Sequence, residues 1–131
     1  MNLIVDVGNT SVKLAVFQDS AIVHKETIDI DVIEIKIQEL IKKHPLLSKT
    51  ILSSVGNLSQ EQLINITKHL ETIVLDHDIK VPFKNKYKTP QTLGVDRIAL
   101  VSASVLNYPK KNVLVIYAGT CITYDFVNAQ D

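Results

Sequence analysis

The sequence predicts a mixed α/β fold with the element order βββαβαβα, followed by two further strands. Three observations support this prediction. Short apolar or alternating segments that end at turn residues are typical of β-strands. Longer segments with apolar residues three and four positions apart are typical of amphipathic helices. The two kinds of segment alternate along much of the 131 residues, an order that favours an α/β protein.

The strands are predicted where apolar runs or strict alternation stop at turn residues. They cover 3–7, 11–17, 21–28, 50–55, 72–75, 113–116 and 121–127. The first of them ends at Gly8, where the chain is expected to turn back into the second.

Three helices are predicted, after residue 31, over 59–70 and from 95 to about 107. Asp31 with Glu34, and Ser59 with Gln62, have the spacing of a capping box, which starts a helix. The stretch 33–37 alternates like a strand, but its isoleucines also form one helical stripe. The length of the segment favours the helix.

The end of the sequence resembles its beginning when the two are aligned at an offset of 111 residues. The segment 3–8 (LIVDVG) then lies over 114–119 (LVIYAG), and both read as strand, glycine turn, strand. Either the architecture is duplicated, or two common β-hairpins coincide. The first alternative predicts a domain at 1–111 and the opening hairpin of an incomplete second domain at 112–131.

Composition excludes several classes of protein. Hydrophobic residues make up 46% of the chain, enough to bury a core. Lys+Arg and Asp+Glu number 14 each, so a globally basic nucleic-acid-binding protein is disfavoured. No apolar run reaches the roughly 18 residues of a membrane span, and no basic segment of a signal peptide precedes Asp6. We therefore expect a cytoplasmic protein with neither membrane nor nucleic acid as partner. Its lone cysteine, Cys121, is expected in the last strand as a small core residue.

The first candidate site follows the first strand, where an acidic residue precedes a glycine. In the segment 6–10 (DVGNT), Gly8 lets the backbone turn and approach a ligand closely. Asn9 and Thr10 can donate to phosphate oxygens, and Lys13 is placed to reach a phosphate. Asp6 is a candidate ligand for Mg²⁺, which prefers oxygen. The alternative is a plain Gly-Asn hairpin turn, which does not explain the acid.

A second candidate site lies at the start of the third helix, in the segment 92–97 (TLGVDR). Asp96 falls in the first helical turn, where the helix dipole favours a carboxylate. The simpler interpretation is a good helix start with Arg97 in solvent. The functional alternative makes Asp96 a general base for a substrate hydroxyl and Arg97 an anion-binding residue.

The long segment 77–94 shows no clear periodicity, and loops of this length are usually functional or disordered. Its basic and aromatic residues are Lys80, Lys84, Lys86, Lys88, Phe83 and Tyr87. It is interpreted either as a solvated basic loop or as a lid over an anionic small molecule.

Taken together, these residues resemble the type III pantothenate kinases, members of the acetate and sugar kinase, Hsp70 and actin superfamily. The resemblance rests on the segment 6–10, on 94–97 (GVDR), and on Gly119-Thr120 with Thr123 and Asp125. It extends over the whole sequence with the motifs in the right order. It implies two ribonuclease H-like (actin-like ATPase) domains, of which this sequence holds the first and the opening hairpin of the second.

The resemblance implies a role for each matching residue. The ATP-binding segment would comprise Asp6, Val7, Gly8, Asn9, Thr10, Ser11, Val12 and Lys13, with Asp6 facing Mg²⁺, and Thr120 would be a further ATP contact. The pantothenate-binding residues would be Tyr87, Gly94, Val95, Asp96 and Arg97, with Asp96 as the catalytic proton acceptor. The implied activity is ATP-dependent phosphorylation of pantothenate to 4'-phosphopantothenate in coenzyme A biosynthesis. ATP, Mg²⁺, a monovalent cation (K⁺ or NH₄⁺) and a homodimer are implied as well.

Two departures from the family pattern accompany the resemblance. The family's third motif reads D-x-G-T, whereas this sequence has 117–120 as YAGT. Tyr117 therefore stands where an Asp helps to bind the monovalent cation, and a neutral phenol is a far poorer ligand. Most of the family's second domain is also missing, so impaired activity is expected. The alternative function is a non-catalytic nucleotide-binding or regulatory protein on the same scaffold, similar to a transcription accessory factor. The kinase interpretation requires Asp6 and Asp96 to face each other across one cleft.

Overall fold

Alternation of apolar and polar side chains produces the strands of this protein, and the mixed α/β class is confirmed. The computed structural model describes residues 1–55 and 58–130. Within this part of the chain the strands are β1 Asn2–Val7, β2 Val12–Gln18, β3 Ala21–Ile28, β4 Lys49–Ser54, β5 Glu71–Val74, β6 Val113–Ala118 and β7 Ile122–Val127. The α-helices are α1 Ile33–Lys43, α2 Gln60–Thr67 and α3 Val95–Asn107.

The chain divides into two compact units, Met1–Leu75 and Asp76–Asp131. The predicted domain boundary after residue 111 stays a prediction. In the first unit a five-stranded mixed sheet has the order β3-β2-β1-β4-β5. The neighbours β3, β2 and β1 are antiparallel, whereas β1, β4 and β5 run parallel. Strand β1 is therefore central, and the carboxyl ends of β1 and β4 meet at one edge of the sheet.

One face of this sheet forms the core of the first unit. Alternate residues of β1 and β2 point toward it and are fully buried; they are Leu3, Val5, Val7, Val12, Leu14 and Val16. Against them pack the buried stripe of α1 and residue Ile66 of α2. The stripe consists of Ile33, Ile37 and Leu40, whereas Ile35 is 60% exposed. The helical interpretation of this segment is therefore confirmed over the alternating one.

The two predicted capping boxes have opposite outcomes. Ser59 caps α2 as predicted, because its Oγ accepts the N–H of Gln62 while the Gln62 side chain accepts the N–H of Ser59. The prediction for Asp31 and Glu34 is wrong. A 3₁₀ turn over Ile30–Val32 precedes α1, which has no side-chain cap. Instead the Oε1 of Glu34 accepts a hydrogen bond from Asn65 of α2, at 3.1 Å, and so joins the two helices.

The second unit combines α3 with the antiparallel hairpin β6–β7. The segment 77–94 contains no α-helix or strand, only a 3₁₀ turn over Pro90–Thr92. One face of the hairpin is half-buried or buried, and the other exposes Leu114, Ile116, Ile122, Tyr124 and Phe126. We call this second set the outer face of β6–β7. The placement of Cys121 is a correction, because it lies exposed in the turn before β7 rather than in a strand or a core. None of the helices in the described ranges is long and apolar enough to cross a membrane.

Candidate functional site

The first candidate site lies where β1 ends beside β2 and β4. Asp6 is directly opposite Lys13 in the β1–β2 register. The Asp6 Oδ2 and Lys13 Nζ are 3.7 Å apart, and 29% and 44% of the two side chains are exposed. This ion pair places a carboxylate and an ammonium together at the sheet edge, where open α/β sheets usually bind their ligands.

The turn from β1 to β2 is tight around Gly8. Its N–H donates to the carbonyl oxygen of Ser11 at 3.1 Å, and an added Cβ would lie 3.2 Å from the same oxygen. Asn9 and Thr10 are exposed at the tip. Within the predicted ATP-binding segment, Val7 and Val12 are fully buried in the core. Those two valines can meet a ligand only through their backbone.

Ser53 of β4 adds an oxygen to this edge that the sequence analysis did not assign. It is in register with Asp6 in the parallel β1–β4 pair. The residue is 6% exposed, and its hydroxyl is buried without a hydrogen-bond partner. Parallel strands meet only through the fold, so no local signal in the sequence places Ser53 beside Asp6.

This set of groups fits a Mg²⁺-bound phosphate. Mg²⁺ prefers oxygen ligands and keeps several of its waters, so one carboxylate and a nearby hydroxyl suit it. Lys13 supplies a positive charge for the phosphate itself. Over residues 1–55 and 58–130, no three His, Cys, Asp or Glu side chains gather to cage an ion. A metal at this edge would therefore be held mainly by phosphate oxygens and water.

The second candidate site begins at the amino-terminal end of α3. Gly94 is the N-cap residue, and its carbonyl oxygen accepts the N–H of Arg97 at 3.0 Å. Asp96 lies in the first turn, as predicted. Its Oδ1 also accepts the Arg97 N–H, at 2.9 Å, so the carboxylate is oriented by the backbone of its own helix. Val95 is buried, so its side chain packs rather than facing a ligand.

The simpler interpretation of this helix start, with Arg97 in solvent, is wrong. Its Nε and Nη2 donate to the two carboxylate oxygens of Asp125, at 2.9 and 2.6 Å. Only 19% of the Arg97 side chain and 15% of the Asp125 side chain are exposed. The guanidinium carbon also lies 5.3 Å from the ring centroid of Tyr87, within reach of a cation–π contact. The hydrogen bonds to Asp125 raise the pKa of Arg97 further above its ordinary value, so it stays cationic at every working pH.

These three side chains line one cavity of about 460 Å³ within the second unit. Lys84, Lys86 and Arg97 contribute positive charge to its wall. Its aromatic residues are Phe83, Tyr87, Tyr124 and Phe126. A cavity of this size with apolar walls and a few convergent charges is typical of sites for small molecules.

Tyr117 occupies the position that the resemblance assigns to a ligand of the monovalent cation. In β6 the ring of Tyr117 lies over the turn, since a Cβ added to Gly119 would meet its Cε1 atom at 3.1 Å. Thr120 is exposed in the same turn. A phenol offers no carboxylate oxygen, so position 117 does not fit a monovalent cation.

The sequence matches the family model for type III pantothenate kinase over residues 2–131. The chain therefore belongs to the type III pantothenate kinase family, a family of ATP-using kinases. It is 41% identical over 131 residues to the type III pantothenate kinase of Flavobacterium johnsoniae, covering all of this chain and 54% of the relative. It is 49% identical over 126 residues to that of Christiangramia forsetii, covering 95% of this chain and 51% of the relative. The chain thus spans about half the length of the curated relatives it matches.

The structure brings together Tyr87, Arg97 and Asp125 in the second unit, and Asp6 with Lys13 in the first. The expectation that Asp6 and Asp96 share one cleft stays a prediction.

Proposed function

We propose that these residues serve the ATP-dependent phosphorylation of pantothenate to 4'-phosphopantothenate in coenzyme A biosynthesis. The observation that carries the proposal is the start of α3, where Asp96 is held by the Arg97 N–H and Arg97 lines a cavity suited to an anion. Membership of the family supports it. Because the relatives are about twice as long, we expect slow turnover by the 131 residues alone.

In this proposal the two ends of pantothenate meet different residues. Arg97 binds the carboxylate of pantothenate, and the Tyr87 ring and the Gly94 backbone flank the substrate. Asp96 accepts the proton of the primary hydroxyl as its oxygen attacks the γ-phosphorus of ATP. The new oxygen–phosphorus bond forms while the bond from that phosphorus to the β–γ bridging oxygen breaks, which releases ADP. Such transfers depend mostly on positioning and on charge stabilisation.

The ATP phosphates are assigned to the first site. The backbone of 7–12, the tip residues Asn9 and Thr10, and Lys13 bind them, and Thr120 is a further contact. Asp6 would hold Mg²⁺, whose charge would stabilise the negative charge that develops on the phosphates. Ser53, in register with Asp6, would add a hydroxyl group near such an ion.

The proposal also covers the fold type of each part of the chain and its oligomeric state. We assign a ribonuclease H-like, actin-like domain at 1–111 and the opening hairpin of a second one at 112–131. A homodimer in the cytoplasm is proposed as the working state. No monovalent cation is proposed, because Tyr117 stands where the family pattern has an Asp.

The proposal is tested by substitution of Asp96. Asp96→Asn should abolish formation of 4'-phosphopantothenate, followed by mass spectrometry during long incubation, because an amide cannot take the hydroxyl proton. Calorimetry should show that Asp96→Asn binds pantothenate with an affinity within about twofold of the parent chain. A twofold change corresponds to well below about 1 kcal/mol of binding free energy. Glu61→Gln, at another acid in the first turn of a helix, is the matched control and should change neither quantity. Full product formation by Asp96→Asn, or no binding of pantothenate by the parent chain, would refute the assignment.

One observation favours the non-catalytic alternative. Tyr117 fills the turn at Gly119, where the family has a cation ligand. A nucleotide-binding regulator would bind ATP in calorimetry yet make no phosphorylated product, even when the remaining half of a relative is supplied. A pantothenate kinase would regain turnover under that condition.

A further inference from the structure

Asp125 has no role in the proposed function, although it binds Arg97 through both of its carboxylate oxygens. It lies on β7, 28 residues from Arg97 along the chain. Both carboxylate oxygens bind the guanidinium, at 2.9 and 2.6 Å, and the pair is mostly shielded from water. A bidentate pair of this kind fixes the plane of the guanidinium as well as its position.

The contact leaves a defined set of donors on Arg97. A guanidinium carries five N–H donors in a rigid fork. Asp125 uses one on Nε and one on Nη2. Of the three others, one on Nη1 and one on Nη2 point outward together at the end of the fork, where they can hold a second carboxylate in the same bidentate manner, and the second on Nη1 points back toward the side chain.

The Tyr87 ring adds a second constraint. The guanidinium carbon lies 5.3 Å from its centroid. All three side chains line the cavity of about 460 Å³. An arginine held at one edge and faced by an aromatic ring has lost most of its rotational freedom before any ligand arrives, which lowers the cost of binding.

We propose that Asp125 is a positioning residue, which orients Arg97 so that its remaining edge recognises the carboxylate of the substrate. This inference rests on the proposed function, since the ligand is taken to be pantothenate. It also predicts selectivity: pantothenol, in which an alcohol replaces the carboxylate, should gain nothing from Asp125.

The test compares Asp125→Asn, Asp125→Glu and the control Asp78→Asn, which changes an exposed acid in the same unit. Calorimetry with pantothenate and with pantothenol gives the selectivity. The ¹⁵N-coupled signal of the Arg97 Nε–H reports the ion pair independently of any substrate.

We expect Asp125→Asn to weaken pantothenate binding about tenfold, as for one oriented hydrogen bond to a charged group. Pantothenol binding should stay within about twofold, because it involves no carboxylate. The Arg97 Nε–H signal should shift and broaden. Asp125→Glu should restore most of the affinity, and Asp78→Asn should match the parent chain.

Three results would overturn the inference. An unchanged Nε–H signal in Asp125→Asn would mean that Asp125 does not hold Arg97. Equal or tighter pantothenate binding would make Asp125 a competitor of the substrate. A parallel loss for both ligands, with a lower melting temperature, would make its role structural. If the parent chain binds neither ligand while the Nε–H signal still responds to Asp125→Asn, the proposed function fails and the geometry of the pair stands.

Discussion

The two hairpins of this chain, β1–β2 and β6–β7, share a pattern of residues but differ in what surrounds them. β1 spans Asn2–Val7 and β6 spans Val113–Ala118, the same positions at an offset of 111. Leu3 is fully buried, whereas its counterpart Leu114 is 56% exposed. The face covered by α1 and α2 in the first hairpin corresponds to the outer face in the second. The same alternation therefore occurs in both hairpins, and the packed helices decide which face becomes a core.

The largest expected effect comes from the same substitution in both hairpins. Leu3→Ala should lower the free energy of unfolding of the first unit by about 2–5 kcal/mol, because it leaves a cavity in a closed core. Leu114→Ala should cost less than about 1 kcal/mol, since much of that side chain already contacts water. Urea titration followed through the backbone amide signals of each unit measures both. Equal losses in the two variants would mean that the outer face of β6–β7 is covered in solution.

The turns of the two hairpins also differ in what surrounds their glycines, Gly8 and Gly119. Substitution of each glycine by alanine measures that difference. Gly8→Ala should cost about 1–2 kcal/mol, because the new Cβ meets the backbone oxygen of Ser11 at 3.2 Å and a backbone yields little. Gly119→Ala should fall within about 0.5 kcal/mol of the parent, because the ring of Tyr117 can turn aside and the unfolded chain loses entropy.

The same urea titrations measure these two variants. The double variant Tyr117→Ala/Gly119→Ala removes the contact altogether and serves as the control. A loss for Gly119→Ala as large as that for Gly8→Ala would contradict this explanation.

Local patterns predicted most of the fold, and long-range contacts account for what was missed. The spacing of Ser59 and Gln62 is a local signal, and the cap it predicts is present. Asp31 has the same spacing, but a 3₁₀ turn occupies its position and Glu34 bonds to another helix. Cys121 was placed in the strand, but the turn after β6 covers residues 119–121, so that β7 begins only at Ile122.

The candidate sites likewise combine residues that local motifs predict with partners that only the fold brings near. Asp6, Gly8, Asp96 and Arg97 were predicted from motifs that occupy a few consecutive positions. The partners that define their chemistry are distant in sequence. The Asp125 contact to Arg97 spans 28 residues, and Ser53 reaches Asp6 only through parallel pairing. Such contacts depend on how strands and helices pack, which a single sequence does not reveal.

Substitution of Lys13 is expected to change the stability of the chain least while clearly weakening its binding of ATP. Its cross-strand position corresponds to Thr123 in the second hairpin, where Tyr117 faces a neutral partner. Lys13→Met should change the free energy of unfolding by less than about 1 kcal/mol, because the pair with Asp6 is partly exposed and screened. ATP affinity in calorimetry should fall about tenfold, the loss of one charge-assisted contact to phosphate. Lys49→Met is the matched control, because Lys49 also forms a cross-strand ion pair, 3.6 Å from Glu71, in the same sheet. Lys49→Met should show the same small change in stability and unaltered ATP binding. Equal losses of ATP affinity in the two variants would mean that Lys13 has no special role in binding ATP.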